Sequence, residues 1–228
     1  MTMKLFLQEV LNDARVILRD SWAALIRQKG WVLCFLVGVA VVTAFVLPHD
    51  QALHRRLTAD RVEALVRISN KYRRWGDFRD TVVITAFVLA AGAVWRRRSW
   101  RTAAVACFLS ACLAGLAVNA VRFTAGRPRP SAEMPDGFYG PTFKYRMQSF
   151  PSGHAATSTG NAVALAIALP GAGIPVLFLS ASGVVWASVY SRTHYVTDVG
   201  VGAMVGVLFG VVVGIVTRRL NKQRGETG

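Results

Sequence analysis

Apolar residues in this chain gather into six stretches, at 31–47, 81–95, 102–121, 154–169, 174–190 and 196–217. A helix needs about 20 such residues to cross the hydrocarbon layer, with about 17 to 25 tolerated. The second and fourth stretches are short and are expected to extend into polar flanks. Hydrocarbon admits only segments that satisfy their own backbone polar groups, so the pattern predicts an all-α fold, an integral membrane bundle of six transmembrane helices. Pro170-Gly171-Ala172-Gly173 reads as the turn between two of them.

Composition supports that class. Of 228 residues, 53% are hydrophobic, and the mean hydropathy is +0.38. The chain reads as one domain over 1–228, made of an amphipathic lead (1–30), the six-helix core (31–217) and a basic tail (218–228). A formal charge of +15 and a pI near 11.0 would suit a nucleic-acid partner in a soluble protein. Here the charge alternates with apolar runs and no reading module is present, so anionic lipid headgroups are the expected counter-charge and nucleic acid is not. Cys34, Cys107 and Cys112 all sit in apolar runs, which implies small hydrophobes rather than a disulfide framework or metal site. A cleaved signal peptide is not expected, because the first apolar run begins only at Trp31.

Six crossings put both termini on one side and the loops 48–80, 122–153 and 191–196 together on the other. Lys and Arg divide almost equally between the two sides. With Arg122, Arg129 and Arg192 set aside, the balance tilts towards cytoplasmic termini, a tilt that the compact Arg96-Arg97-Arg98-Ser99-Trp100-Arg101 loop reinforces. Two polar segments read as amphipathic interfacial helices. Leu7, Leu11, Ala14, Leu18, Trp22 and Leu25 recur at helical spacing in the lead, and Leu53, Leu57, Leu65 and Ile68 do so beside basic residues in the first loop.

Three groups of polar residues stand at the ends of apolar stretches on the loop side, where charge is costly to keep and marks function. Arg122 and Arg129 flank a segment broken by Pro128 and Pro130; guanidinium forks match a phosphate and hold their charge. Pro151-Ser152-Gly153-His154 opens the fourth stretch. Backbone N–H groups at a helix start make an anion cradle, Ser152 adds a donor, Gly153 permits close approach, and His154 is placed to donate to a leaving oxygen. His194 and Asp198 are four apart, so on a helical turn the carboxylate orients one ring nitrogen and frees the other as nucleophile or base. Each group alone has a structural explanation, as a snorkelling cation, a helix cap or a buried pair; the case rests on their convergence. Zinc is disfavoured, since His154 and His194 come with no nearby Cys.

These motifs resemble those of the type 2 phosphatidic acid phosphatase family of integral membrane phosphatases, related also to vanadium haloperoxidases. Arg122 and Arg129-Pro130 match its Lys-x6-Arg-Pro motif with arginine in place of lysine, and Pro151 to His154 match its Pro-Ser-Gly-His motif in full. The resemblance implies His194 as nucleophile, Asp198 as its partner, His154 as general acid, and Arg122, Arg129, Ser152 and Gly153 on the phosphate, with no cofactor and no metal. It also implies a site facing outward from a bacterial inner membrane. The third motif, Ser-Arg-x5-His-x3-Asp, is incomplete: Ala187 and Ser188 stand where the family has Ser-Arg. Arg192, one helical turn on, is the expected substitute.

The function so implied is metal-independent removal of phosphate from a lipid phosphate or diphosphate through a phosphohistidine. Isoprenyl diphosphates, phosphatidylglycerol phosphate, phosphatidic acid and lipid A phosphates are the substrate classes, and the loop 131–150, with Phe138, Tyr139, Phe143 and Tyr145, is a candidate cover. Lipid-to-lipid phosphate transfer and non-catalytic lipid-phosphate binding or transport are the alternatives. The sequence does not fix an oligomeric state.

Overall fold

A computed structural model describes residues 3–74, 77–169, 171, 174–175 and 177–225. Pro170, Ala172 and Gly173 of the expected turn lie outside them. The elements are α1 (Met3–Arg27), α2 (Lys29–Val46), α3 (Asp50–Leu57), α4 (Glu63–Arg73), α5 (Phe78–Val94), α6 (Arg98–Ala125), α7 (Gly153–Ala168), a π-helical turn (Leu177–Ser182) running into α8 (Gly183–Tyr190), and α9 (Val196–Gln223). No strand occurs among the described residues. Lys29–Leu57, Arg98–Ala132 and Val196–Gln223 are long and apolar enough to cross a membrane, and Thr81–Val94 is apolar but shorter. The chain is an integral membrane protein.

The centre of the bundle is the seam between α7 and α9, and its spacing follows from glycine. A Cβ on Gly202 would stand 2.3 Å from the Ser152 carbonyl oxygen, and one on Gly206 would stand 2.5 Å from that of Ala156. Gly210 and Gly214 continue the row at four-residue intervals against Val163 and Ile167. Small residues at such intervals let membrane helices approach backbone to backbone, where dispersion and weak C–H···O contacts replace the absent hydrophobic drive. α6 closes the core with Ala103, Ala106, Ala111 and Ala114, all fully buried. By contrast α2 buries none of its residues against protein.

Polar contacts cluster at the two ends. At one, Arg101 at the start of α6 holds Asp13 of α1 through two bonds of 3.0 and 2.9 Å and also holds Glu9. Arg224 reaches the same Asp13 at 2.8 Å, and Thr102 bonds Asn221. At the other end the last residues of α6 and α8 meet the first residues of α5, α7 and α9. The three sequence motifs lie there.

The helices expected to lie along the surface turn their polar sides inward. In α1 the buried positions are Asp13, Ile17 and Ser21, while Leu7, Leu11, Leu18 and Trp22 of the expected apolar stripe are exposed. The same inversion holds in α3, where Asp50 and His54 are buried and Leu57 is not, and in α4, where Ser69 is buried and Leu65 and Ile68 are exposed. A stripe of that kind leaves its apolar side to lipid.

Candidate functional site

α6 stops where Gly126 adopts a left-handed conformation, φ 61°, and its amide donates back to Arg122 O. A Cβ at Gly126 would fall 2.0 Å from the Gly140 carbonyl oxygen, so only glycine lets the loop 131–150 fold onto the helix end. Arg122, in the last turn, donates through Nε and Nη2 to the Pro151 carbonyl at 3.3 and 3.0 Å. Gly153 is pressed beneath it: a Cβ there would be 2.6 Å from Arg122 Nη2. The guanidinium therefore lies over the start of α7, with N–H groups to spare.

Ser152 is the N-cap of α7, its Oγ accepting from Ala155 N at 3.4 Å. Its own amide donates to Asp198 O at 2.8 Å, which ties the start of α7 to the start of α9. The first N–H groups of α7 have no intrahelical acceptor and carry the positive end of the helix dipole. One residue into the helix, His154 Nε2 meets Asp77 Oδ1 at 2.7 Å.

His194 is completely buried. Its Nδ1 lies 2.8 Å from the Ser149 carbonyl oxygen. A carbonyl only accepts, so Nδ1 carries the proton and Nε2 presents a lone pair. Nε2 is buried with no hydrogen-bond partner among the described residues. Burial pushes the imidazole down to about 4, against the opposing pull of Asp198, so the ring is neutral at physiological pH.

Asp198 differs from the sequence expectation. Its carboxylate stands 3.8 Å from His194 Nδ1, beyond hydrogen-bond reach. The reason is prior commitment: it caps α9 by accepting from Tyr195 N, takes Arg127 Nη1 at 2.7 Å, and holds the Ser149 hydroxyl. It therefore bears on His194 through Ser149, whose carbonyl orients the ring.

Arg129 is buried, stacks on the Tyr145 ring at 4.0 Å, and donates to the carbonyls of Tyr145, Thr193 and Gln148. It braces the loop before His194, and its charge acts on Arg122. Arg192 lies elsewhere. α8 ends at Tyr190, and Arg192 follows it in a left-handed turn, φ 56°, so it shares no helical face with Ser188. The Arg192 charge acts on His54. Ser188 is fully buried with its hydroxyl turned back to Val184 O.

Four contributors escaped the sequence reading. Arg127, fully buried, bonds Asp198, Asp50 and Asp136 at 2.7, 3.0 and 2.7 Å. Asp50 also accepts from Thr197 N and Oγ1. Asp77 holds His154, and Ser149 holds His194. Arg127 and Ser149 carry the signal of adjacency to the motifs, Arg127 lying between Arg122 and Arg129, whereas Asp50 and Asp77 stand far from them in sequence. Of the loop aromatics, Phe138 packs edge-on against Phe150 and near Arg127, and Phe143 against Phe123.

Fold and site together define a helical membrane protein with a buried neutral histidine beside a cation-lined helix start. The PAP2 superfamily model matches residues 103–222, more than half of the chain, and the chain belongs to that superfamily. Its fold is similar to that of LpxE from Aquifex aeolicus, at 22% identity and a TM-score of 0.54, covering 72% of this chain and 93% of that one. It is also similar to the first transmembrane PAP2-type phosphatidylglycerolphosphate phosphatase from Bacillus subtilis, at 21% identity and a TM-score of 0.57, covering 86% and 96%. At these identities the likeness is one of fold. No curated protein sequence matches the chain.

Proposed function

We propose that this chain is a lipid phosphatase in which His194 attacks phosphorus. The observation that carries the reading is the buried Nε2 of His194, neutral, correctly tautomerised and without a protein partner. Its lone pair forms the N–P bond while the P–O bond to the lipid breaks, and His154 gives the leaving oxygen its proton. Asp77 is the counter-charge for His154 in its protonated form. Water then attacks the phosphohistidine and gives a proton back to His154, the N–P bond breaks to return neutral His194, and inorganic phosphate leaves. Arg122, Arg129, Ser152 and the α7 amides beside Gly153 hold the phosphate oxygens. No step calls for a metal or cofactor.

The substrate class rests on the membrane setting and on the similar folds. One of the two similar structures is a PAP2-type phosphatidylglycerolphosphate phosphatase by its own name. In this reading 1–228 acts as one unit whose six apolar stretches all cross the bilayer. The site end of α5, α6, α7, α8 and α9 then faces outward from a bacterial inner membrane. α1, the Arg96-to-Arg101 turn and the basic tail lie in the cytoplasm among anionic lipids.

The test is phosphate release by detergent-purified protein from phosphatidylglycerol phosphate, phosphatidic acid, an isoprenyl diphosphate and a lipid A phosphate, with EDTA present. Wild-type release, none from His194→Ala, and an acid-labile, base-stable phosphoryl adduct on quenching are expected. Label passing to an acceptor lipid in place of water would instead make the chain a phosphotransferase. Tight binding without turnover would make it a carrier.

A further inference from the structure

The phosphate pocket lacks the arginine that the third motif would supply at position 188, where Ser188 stands, and Arg192 follows α8 in a left-handed turn off its helical face. We propose that Arg73, in the last turn of α4, is the guanidinium that completes the phosphate clamp beside His154 and Arg129. The inference rests on the phosphatase reading above and assigns a further phosphate-binding residue to it.

Packing brings Arg73 to the site. α4 lies along α8, the helix that carries Ser188, and is fastened at both ends. Val62 N, just before α4, donates to the Tyr190 hydroxyl at 3.0 Å. At the other end the Tyr72 hydroxyl donates to Leu179 O at 2.6 Å, and its ring lies so close to Gly183 that a Cβ there would be 2.0 Å from Tyr72 Cε1. Arg73 follows Tyr72 directly, and Asp77, four residues on, already grips His154. Tyr72 thus stands at the α8 contact and Asp77 at the α7 helix start, with Arg73 next to the first.

Burial and charge both bear on the Arg73 side chain. Its charge acts on both His154 and Arg129, and that of Arg129 acts in turn on Arg122. Arg73 and Arg122 thus both act on the His154 imidazole, and Arg129 acts on the His194 imidazole next to it. Arg73 Nε is buried and has no hydrogen-bond partner among the described residues, whereas Arg122 and Arg129 each spend N–H groups on backbone carbonyls. A buried donor left unmade is costly, and crowded like charges repel. A phosphate dianion resolves both, since its oxygens accept from forked guanidiniums and its charge offsets theirs. The chain has thereby moved a clamp arginine from α8 to the neighbouring helix that packs on it.

The experiment uses the full chain in detergent, with lipid-phosphate turnover and its inhibition by orthovanadate, a mimic of the five-coordinate phosphorus. Arg73→Ala is expected to lower kcat/KM and raise the vanadate inhibition constant together, each by about 10²–10³-fold as for other lost transition-state donors. Arg73→Lys is expected to fall between wild type and Arg73→Ala, and added guanidinium ion to restore part of the Arg73→Ala loss, which a purely structural role would not allow. Turnover and vanadate inhibition both unchanged in Arg73→Ala would overturn the proposal. So would a weakening of vanadate by Arg192→Ala alone. Absence of wild-type turnover on every lipid phosphate would fail the phosphatase reading itself, a result distinct from a working enzyme indifferent to Arg73.

Discussion

Arg127 Nη1 donates to Asp198 Oδ1 at 2.7 Å, and neither side chain reaches solvent. The same guanidinium holds Asp50 at the start of α3 and Asp136 in the loop 131–150. One cation therefore joins three segments that are distant in sequence and fixes the carboxylate behind the histidine pocket. Removing one partner of a buried ion pair costs about 3–5 kcal/mol, because the remaining charges are stranded. Arg127→Met is expected to lower the melting temperature in detergent sharply and to abolish turnover. Arg127→Lys should not rescue it, since one ammonium cannot fork to three carboxylates.

The depressed ionisation of His194 sets a pH dependence. The folded ring stays neutral from its ordinary 6.5 down to about 4, so the acid limb of turnover due to His194 is expected near pH 4. The unfolded chain takes up this proton at about 6.5 while the folded chain refuses it. The stability owed to the neutral ring is therefore fully present above that pH and is lost as pH falls from 6.5 towards 4. Melting temperature measured across pH 4 to 7 should fall with acidification in wild type and less steeply in His194→Gln.

His154 and Asp77 should separate by magnitude. Loss of a positioned general acid costs about 10²–10⁴-fold in rate, which is the expectation for His154→Ala in kcat. Asp77→Asn removes orientation and counter-charge while leaving the ring in place, so its loss should be smaller. A substrate with a leaving group that needs no proton, such as an activated aryl phosphate, should narrow both deficits. Equal deficits on aryl and lipid substrates would remove His154 from the acid role.

Gly206→Ala tests the α7–α9 seam. Its new methyl would meet the Ala156 carbonyl oxygen at 2.5 Å and Gly160 N at 2.8 Å, both backbone atoms that cannot swing aside. Overpacking of this kind costs about 1–3 kcal/mol. It would also part Ser152 from Asp198, which meet at the head of the same seam. Reduced thermal stability together with reduced kcat is expected, and Gly200→Ala, whose Cβ meets nothing within 4 Å, should be neutral in both.

Much of the helical fold was legible from the chain alone, because a bilayer turns hydropathy directly into helices. The ends of α6, α7 and α9 fall within a few residues of the apolar boundaries. What periodicity could not show is which face of α1 or α4 meets protein, since in both the inward face is the polar one. Nor could it show the partner of His194. The i, i+4 spacing pointed to Asp198, and the acceptor is a backbone carbonyl at Ser149, which side-chain identity cannot encode. The glycines at 202, 206, 210 and 214 stand in plain sight in the sequence, but their meaning depends on α7 lying opposite. Arg192 was placed by assuming a helix that ends before reaching it.

The polar clasps at the two ends of the bundle also set its height. On α6, Arg101 is held by Asp13 and Glu9 while Arg122 is held by Pro151, and at the rise of an α-helix the span between them is about 32 Å. That is close to the roughly 30 Å of a bilayer's hydrocarbon. Because both ends are anchored by charge, the helices cannot slide past one another to suit a thicker or thinner membrane, and the lipid must stretch or compress around them instead. The enzyme's activity in vesicles should therefore peak at one acyl-chain length of the host bilayer, whatever chains its substrate carries.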